Sequence, residues 1–301
     1  MSENNHWPVK TRDLHNHHMD STIWDEFVFR DDDIIIGTYA KAGTTWTQQI
    51  VGQLIFRGDP AVEVGMLSPW LDLRVIPSEI TLDMLDQQTH RRILKTHLPA
   101  DALVYSATAK YLYVARDLPD VVWSLHNHLF NATDEFFAMF NDTPGRVGPA
   151  LERPGPDIHA FWYQFLRNDG SPMWSFWENL RTWWTWRNLP NVRLVHFNDL
   201  KRDLEGEIRA IAAFLQIPIE ESHWAAMVEH CSFDWMKAHA GIVTPGGGEV
   251  FKGGAQTFIH KGTNKRWKDV LNAADLKEYR TLAETQLGTE CLAWLENGKE
   301  G

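Results

Sequence analysis

Thr38-Tyr39-Ala40-Lys41-Ala42-Gly43-Thr44-Thr45-Trp46 follows the apolar run Ile34-Ile35-Ile36 and leads into the periodic segment from Gln48 to Phe56. An apolar run, a turn of small residues and a periodic stretch read as strand, tight turn and helix. The first N–H groups of a helix lack intrahelical acceptors and carry the positive end of its dipole. A turn there that also supplies a lysine and two hydroxyls is an anion cradle, and phosphate is the expected anion. The plain structural alternative is a lysine that caps a turn in an α/β domain. A nucleoside-triphosphate loop places its lysine after the second glycine, whereas Lys41 stands two residues before Gly43. This is a different kind of phosphate loop.

Other strand ends carry polar side chains too. Tyr111-Leu112-Tyr113-Val114-Ala115 is strand-like, and after it come Arg116-Asp117-Leu118-Pro119-Asp120 and the helical run Val121 to Leu125, with Pro119 suited to a first turn. Arg116 thus leaves the carboxyl end of a strand and Ser124 sits on the next helix; a guanidinium fork and a hydroxyl suit a phosphate dianion. The run Arg92 to Thr96 places His97 at another strand end facing the same crevice. Fourteen histidines dilute any single one, so position is what singles out His97. Near the carboxyl terminus, Phe251 to Lys268 holds five basic residues and no acid in a chain of net charge −11, which marks a local anion site.

In this order, the motifs resemble those of the cytosolic-type sulfotransferases, and the resemblance implies a bacterial member of that family. Tyr39-x-Lys41-x-Gly43-Thr44-Thr45-Trp46 is similar to its 5′-phosphosulfate loop, and Arg116 with Ser124 to its 3′-phosphate motif. Lys95-Thr96-His97-Leu98-Pro99 resembles the segment whose histidine is the general base. The stretch from Phe258 to Lys268 resembles the signature that closes over the 3′-phosphate, but only in part. His260 stands for an arginine and Lys265-Arg266 for Gly-Asp, leaving Lys261, Gly262, Trp267 and Lys268 as matches. Trp46 and Phe233 match aromatics that stack on adenine, Cys231-Ser232-Phe233 resembles Thr-Ser-Phe with a hydroxyl lost, and Phe197 holds a position commonly tyrosine. The structural alternative for these rings is ordinary core packing.

The resemblance implies 3′-phosphoadenosine 5′-phosphosulfate (PAPS) as donor and 3′-phosphoadenosine 5′-phosphate (PAP) as product. His97, Lys41 and Lys95 are the expected catalytic residues, and Ala42, Gly43, Thr44 and Thr45 the expected cradle. No metal is expected, because a sulfuryl group carries less charge than a terminal phosphoryl. The acceptor is a small hydroxyl compound, with phenol, steroid, lipid alcohol and glycolipid all compatible, and an amine is less favoured. A P-loop kinase and a catalytically inactive nucleotide-binding protein are the alternatives. The first is opposed by the loop order and by Arg116 where a magnesium-binding Asp is expected, the second by His97 and Lys95.

Composition agrees with an enzyme domain. The chain has 301 residues, 44% of them hydrophobic, with fifteen tryptophans, two cysteines and no apolar run near the roughly 18 residues of a membrane span. Met1 to His6 lacks a signal-peptide pattern, so the expected location is cytoplasmic. The acidic balance argues against nucleic-acid and anionic-membrane binders. Alternating strand-like and helical runs predict a single α/β domain, residues 1–301, with a mainly parallel central sheet flanked by helices; the resemblance makes it P-loop-like. Residues 129–167 read as an irregular acceptor-side insertion and 241–268 as a Gly-rich flap. A monomer or homodimer is expected. His15-Asn16-His17-His18 reads as an exposed N-terminal loop rather than a metal site, and the Trp/Phe-rich stretch from Phe161 to Trp186 mostly as core.

Overall fold

The computed structural model describes residues 7–299, so Met1 to His6, read above for a leader, lie outside the described residues. Ile34–Thr38 (β1) is buried at every position, as the apolar run requires of a parallel strand covered on both faces. Helix α1 (Thr44–Ile55) follows it, and the chain then returns to Ile93–Thr96 (β2). Lys110–Ala115 (β3) leads into α2 (Leu118–Asn131), and α3 (Asp134–Asp142), α4 (Ile158–Arg167) and α5 (Phe176–Thr185) precede Val192–His196 (β4). Helix α6 (Leu204–Leu215) packs on the sheet, and α7 (Ala273–Asn297) lies against α5.

The strands pair in parallel in the order β2-β1-β3-β4, with Ile35 opposite Leu94 on one side and Tyr111 on the other. From β1 the chain moves to β2 on one flank; from β3 it moves to β4 on the other. The strand order therefore reverses between β1 and β3, and the carboxyl ends at such a reversal are where ligands of open α/β sheets bind. The loops carrying Lys41 and Arg116 sit on the two sides of it.

Strand side chains alternate between two cores. Ile34, Ile36, Leu112 and Val114 pack on α1 and α6 through Ile50, Val51, Leu54, Ile208, Ile211 and Leu215. Ile35, Tyr111 and Tyr113 face an aromatic layer that includes Trp162, Trp177 and Trp183. There Trp183 stacks on Tyr113 at 5.1 Å, and a Cβ at Gly37 would lie 2.4 Å from the Trp183 ring, so only glycine lets strand and indole approach this closely. Trp162, Trp174, Trp177, Trp183 and Trp186 all lie in this core.

One expectation is corrected. Residues 129–167 are not uniformly irregular: Thr133 accepts from Phe136 N to cap α3, and Asp157 accepts from His159 N and Ala160 N to cap α4. The turn-forming residues are concentrated between those helices. Phe197 directly follows β4 and begins the short helix Phe197–Arg202, because the His196 side chain accepts from Asn198 N. Among the described residues, no helix is long and apolar enough to cross a membrane, and no group of three or more His, Cys, Asp or Glu side chains could hold a metal ion.

Candidate active site

The turn after β1 is set by backbone conformation. Lys41 has φ 66° and Gly43 φ 125°, after which α1 begins at Thr44 with no acidic residue in its first turn. A Cβ at Gly43 would meet the Phe197 ring at 3.2 Å, so glycine also keeps this wall thin. Ala42 is buried, and Thr44 Oγ1 is 2.7 Å from Thr38 Oγ1, tying the helix start to the strand end. The first-turn N–H groups of α1 have no intrahelical acceptors, which leaves them available to an anion. Lys41 Nζ lies 3.3 Å from His128 Nδ1 and 4.2 Å over the Phe258 ring. Burial, with Arg116 and Lys95 near, lowers this ammonium to about 7.

His97 stands just beyond β2, 7% exposed, with Nδ1 2.8 Å from the Thr38 carbonyl oxygen. A carbonyl only accepts, so Nδ1 carries the hydrogen and Nε2 keeps its lone pair. Asn179 Nδ2 donates to the His97 carbonyl at 2.9 Å, and Trp70 meets the imidazole edge-on at 4.6 Å. Burial, then Lys95, lowers His97 to about 3, so it is neutral near pH 7. Lys95 is half-buried, and burial lowers it to about 8 against the pull of Asp72.

Arg116 emerges from β3 and is 6% exposed, its guanidinium 4.2 Å over the Phe197 ring. Its Nη2 donates to Asn264 Oδ1 at 2.7 Å and to the Thr263 carbonyl at 3.3 Å. Burial lowers Arg116 to about 10, which leaves it cationic. Its Nε, and that of Arg266, are buried without an acceptor among the described residues. Ser124 and His128, four apart on α2, line a small cavity with Lys41, Phe258, His260 and Arg266. That cavity, about 20 Å³, has room for about one water.

The remaining expected residues divide by place. Trp46 donates its indole N–H to the Cys231 carbonyl at 2.7 Å and meets Phe197 edge-on at 5.1 Å. The Cys231 thiol is buried, and burial raises its pKa, so its backbone does the bonding here. Thr45 is half-buried beside Trp46 in sequence. Phe233 is 38% exposed and lies so near Gly262 that a Cβ there would come within 2.4 Å of its ring. Gly262 accepts from Lys201 Nζ through its carbonyl, while Lys261 is exposed. His260 reaches the cavity and Lys261 does not line it.

Sequence reasoning missed four groups. Arg266, set aside as a departure, lines the cavity, as does His128; helical spacing from Ser124 could have found the latter. Asp72 is buried, accepts from the Trp24 and Trp70 indoles and is raised by burial to about 6. The loop from His15 to His18 is exposed only at its start: His15 is exposed, while His17 and His18 are 4% and 3% exposed. His17 Nε2 bonds the Pro172 carbonyl at 2.8 Å and its Nδ1 pairs with that of His18. His18 stacks on Phe140 at 3.7 Å and meets Trp70 and Trp174, the rings beside His97. No sequence signal placed it there.

The model of the sulfotransferase domain matches residues 31–289. A glycolipid sulfotransferase of Mycobacterium bovis is 28% identical over 305 residues, covering 94% of this chain and 93% of that protein. Sulfotransferase 1A1 of Rattus norvegicus is 29% identical over 260 residues, 82% of each chain. Among solved structures, mouse sulfotransferase SULT7A1 complexed with PAP matches with a TM-score of 0.68 at 21% identity over 90% of each chain. Retinol dehydratase in complex with androsterone and inactive cofactor PAP matches with a TM-score of 0.67 at 21% identity, over 88% of this chain and 83% of the other. The solved structures speak to the fold alone at that identity. The domain match, by contrast, takes in Lys41, His97, Arg116 and Ser124 together, and on it the chain belongs to the sulfotransferase family.

Proposed function

We propose that this sulfotransferase moves a sulfuryl group from PAPS to a hydroxyl, less favourably an amine, of a small and partly apolar acceptor. The observation that carries this reading is a row of functions set by strand order. His97 follows β2, Lys41 follows β1 and Arg116 follows β3, and these three strands are neighbours. A donor with a phosphosulfate at one end and a 3′-phosphate at the other matches two cationic sites side by side, with the base beyond the first. The orphaned Nε groups of Arg116 and Arg266 and the open first turn of α1 fit such a bisphosphate.

The residue roles follow from charge. His97 Nε2 takes the acceptor hydroxyl's proton as the new O–S bond forms, an effect of about 10²–10⁴ in rate. The old S–O bond breaks and its electron pair stays on the bridging oxygen of the 5′-phosphate, where Lys41 meets the growing charge. Lys95 faces the sulfuryl oxygens, Thr44 and Thr45 add donors, and Arg116 with Ser124 takes the 3′-phosphate. Trp46 and Phe233 are the proposed adenine contacts, with Phe197, Cys231, His260, Lys261 and Gly262 around the nucleotide. The rings of Trp70, Trp174 and Phe140 near His97 and His18 favour an apolar acceptor body, compatible with a phenol, steroid, lipid alcohol or glycolipid. A cytoplasmic monomer or homodimer is the proposed working form.

Thermal denaturation with PAP, AMP and ATP tests the donor. PAP at about 100 times its Kd should add roughly 2.7 kcal/mol, well above AMP or ATP, without added magnesium. Equal shifts for AMP and PAP would remove the second phosphate site.

A further inference from the structure

Lys41 is anchored by a side chain from outside its own loop. Its backbone at φ 66° fixes the direction in which the side chain departs, and its ammonium then sits between the Phe258 ring, 4.2 Å away, and His128 Nδ1 at 3.3 Å. His128 lies one helical turn beyond Ser124 on α2, so a single helix face presents both the phosphate-side hydroxyl and this imidazole to the cavity. The ring itself is held by aromatic neighbours: Phe251 at 4.7 Å, Phe136 edge-on at 5.6 Å and Phe258 at 5.9 Å. Burial, with Lys41, Lys95 and His97 around it, holds His128 well below the usual histidine range and therefore neutral. A neutral imidazole that accepts at Nδ1 carries its hydrogen on Nε2.

An ammonium has three N–H donors on a stem with four rotatable bonds, so a free lysine head presents no fixed direction to a ligand. An acceptor that holds one N–H leaves two for the anion and fixes where they point. We propose that His128 is a positioning residue for sulfuryl transfer: it holds one Nζ–H of Lys41, so that the ammonium stands ready at the oxygen that leaves with the 5′-phosphate. This rests on the catalytic reading of Lys41 given under Proposed function. The competing role is that of a filler between Phe136 and Phe251.

The test compares His128→Phe, which keeps a flat ring but no acceptor, with His128→Asn, which returns an oxygen near the place of Nδ1. Lys41→Met and the Lys41→Met/His128→Phe double variant complete the set. Transfer from sulfur-labelled PAPS is followed with the best of three acceptors, 2-naphthol, cholesterol and octyl glucoside, and folding is checked by melting temperature. His128→Phe should lower kcat by about tenfold to a hundredfold with little change in acceptor KM. His128→Asn should recover most of it. The double variant should be no slower than Lys41→Met, because the imidazole acts through the lysine. If His128→Phe does not fold, His128→Leu takes its place. Wild-type kcat for the Phe or Leu variant beside an impaired Lys41→Met overturns the proposal while leaving the role of Lys41 intact. An Asn variant as slow as Phe overturns it as well, by showing that the ring and not the acceptor matters. Near-normal turnover in Lys41→Met is a separate result that fails the reading of Lys41 itself, and the proposal with it.

Discussion

His97 Nδ1 lies 2.8 Å from the carbonyl oxygen of Thr38, so the last residue of β1 fixes the tautomer of the histidine after β2. The same Thr38 holds Thr44 through its hydroxyl, which couples base and anion cradle through one residue. His97→Ala should retain PAP affinity and lose turnover by at least about 10². Near-normal kcat across several acceptors would move the base elsewhere.

Donor affinity should depend on pH through Lys41. Its free-site value of about 7 reflects burial first, and a bound dianion raises it again. Binding therefore takes up a proton above pH 7: affinity is full where Lys41 is already charged, and declines as pH rises beyond 7 by up to about tenfold per unit. Lys95, at about 8, acts in the same direction over a higher range. Calorimetric titration of PAP between pH 6.5 and 8.5 in buffers of different ionisation enthalpy measures the uptake, and Lys41→Met should remove its lower-pH part. A pH-independent affinity with no proton uptake contradicts this.

The segment over Lys41 and Arg116 should respond to nucleotide. Arg116 bonds Asn264 and Thr263, and Phe258 covers Lys41, so a bisphosphate must replace contacts the chain makes with itself in a space of about 20 Å³. We expect residues 246–268 to open for entry and close again over the bound nucleotide, with stronger hydrogen-exchange protection in the PAP complex. Arg116→Ala should weaken PAP binding by tenfold or more, since it removes a charged fork. Unchanged exchange at saturation would rule out a lid.

Within that segment, Arg266 should matter more than Lys261. Arg266 lines the cavity with its Nε unpartnered among the described residues, while Lys261 is exposed. Arg266→Ala should cost about 1.5–3 kcal/mol of PAP binding, the range for a hydrogen bond to a charged group. Lys261→Ala should cost under about 1 kcal/mol. The reverse order, measured as Kd for PAP, would make Lys261 and not Arg266 the chief contact.

The strands were legible because parallel strands buried on both faces must be apolar runs, and Ile34–Thr38 and Lys110–Ala115 are such runs. Helix Thr44–Ile55 was legible because a periodic run from Gln48 to Phe56 follows a turn of small residues. Lys41, His97 and Arg116 were legible because each directly follows a strand, and parallel topology brings such ends together. His18, Asp72 and Arg266 were not. Each reaches the site by tertiary packing of an irregular segment, His18 through a pairing with His17 and a stack on Phe140 that no local period encodes. The departure from the family signature at Arg266 was visible, but no local period encodes that its side chain lines the cavity beside His260.

Labelled PAPS reads group transfer itself. With sulfur-labelled donor, chelator present, and 2-naphthol, cholesterol and octyl glucoside as acceptors, label should move onto at least one acceptor with stoichiometric PAP release. His97→Ala and Lys41→Met should each slow that transfer by at least about 10². Tight PAP binding by a folded protein that transfers no label to any acceptor, or transfer that both variants leave unchanged, would show that the site does not work as a sulfotransferase with this base and this lysine.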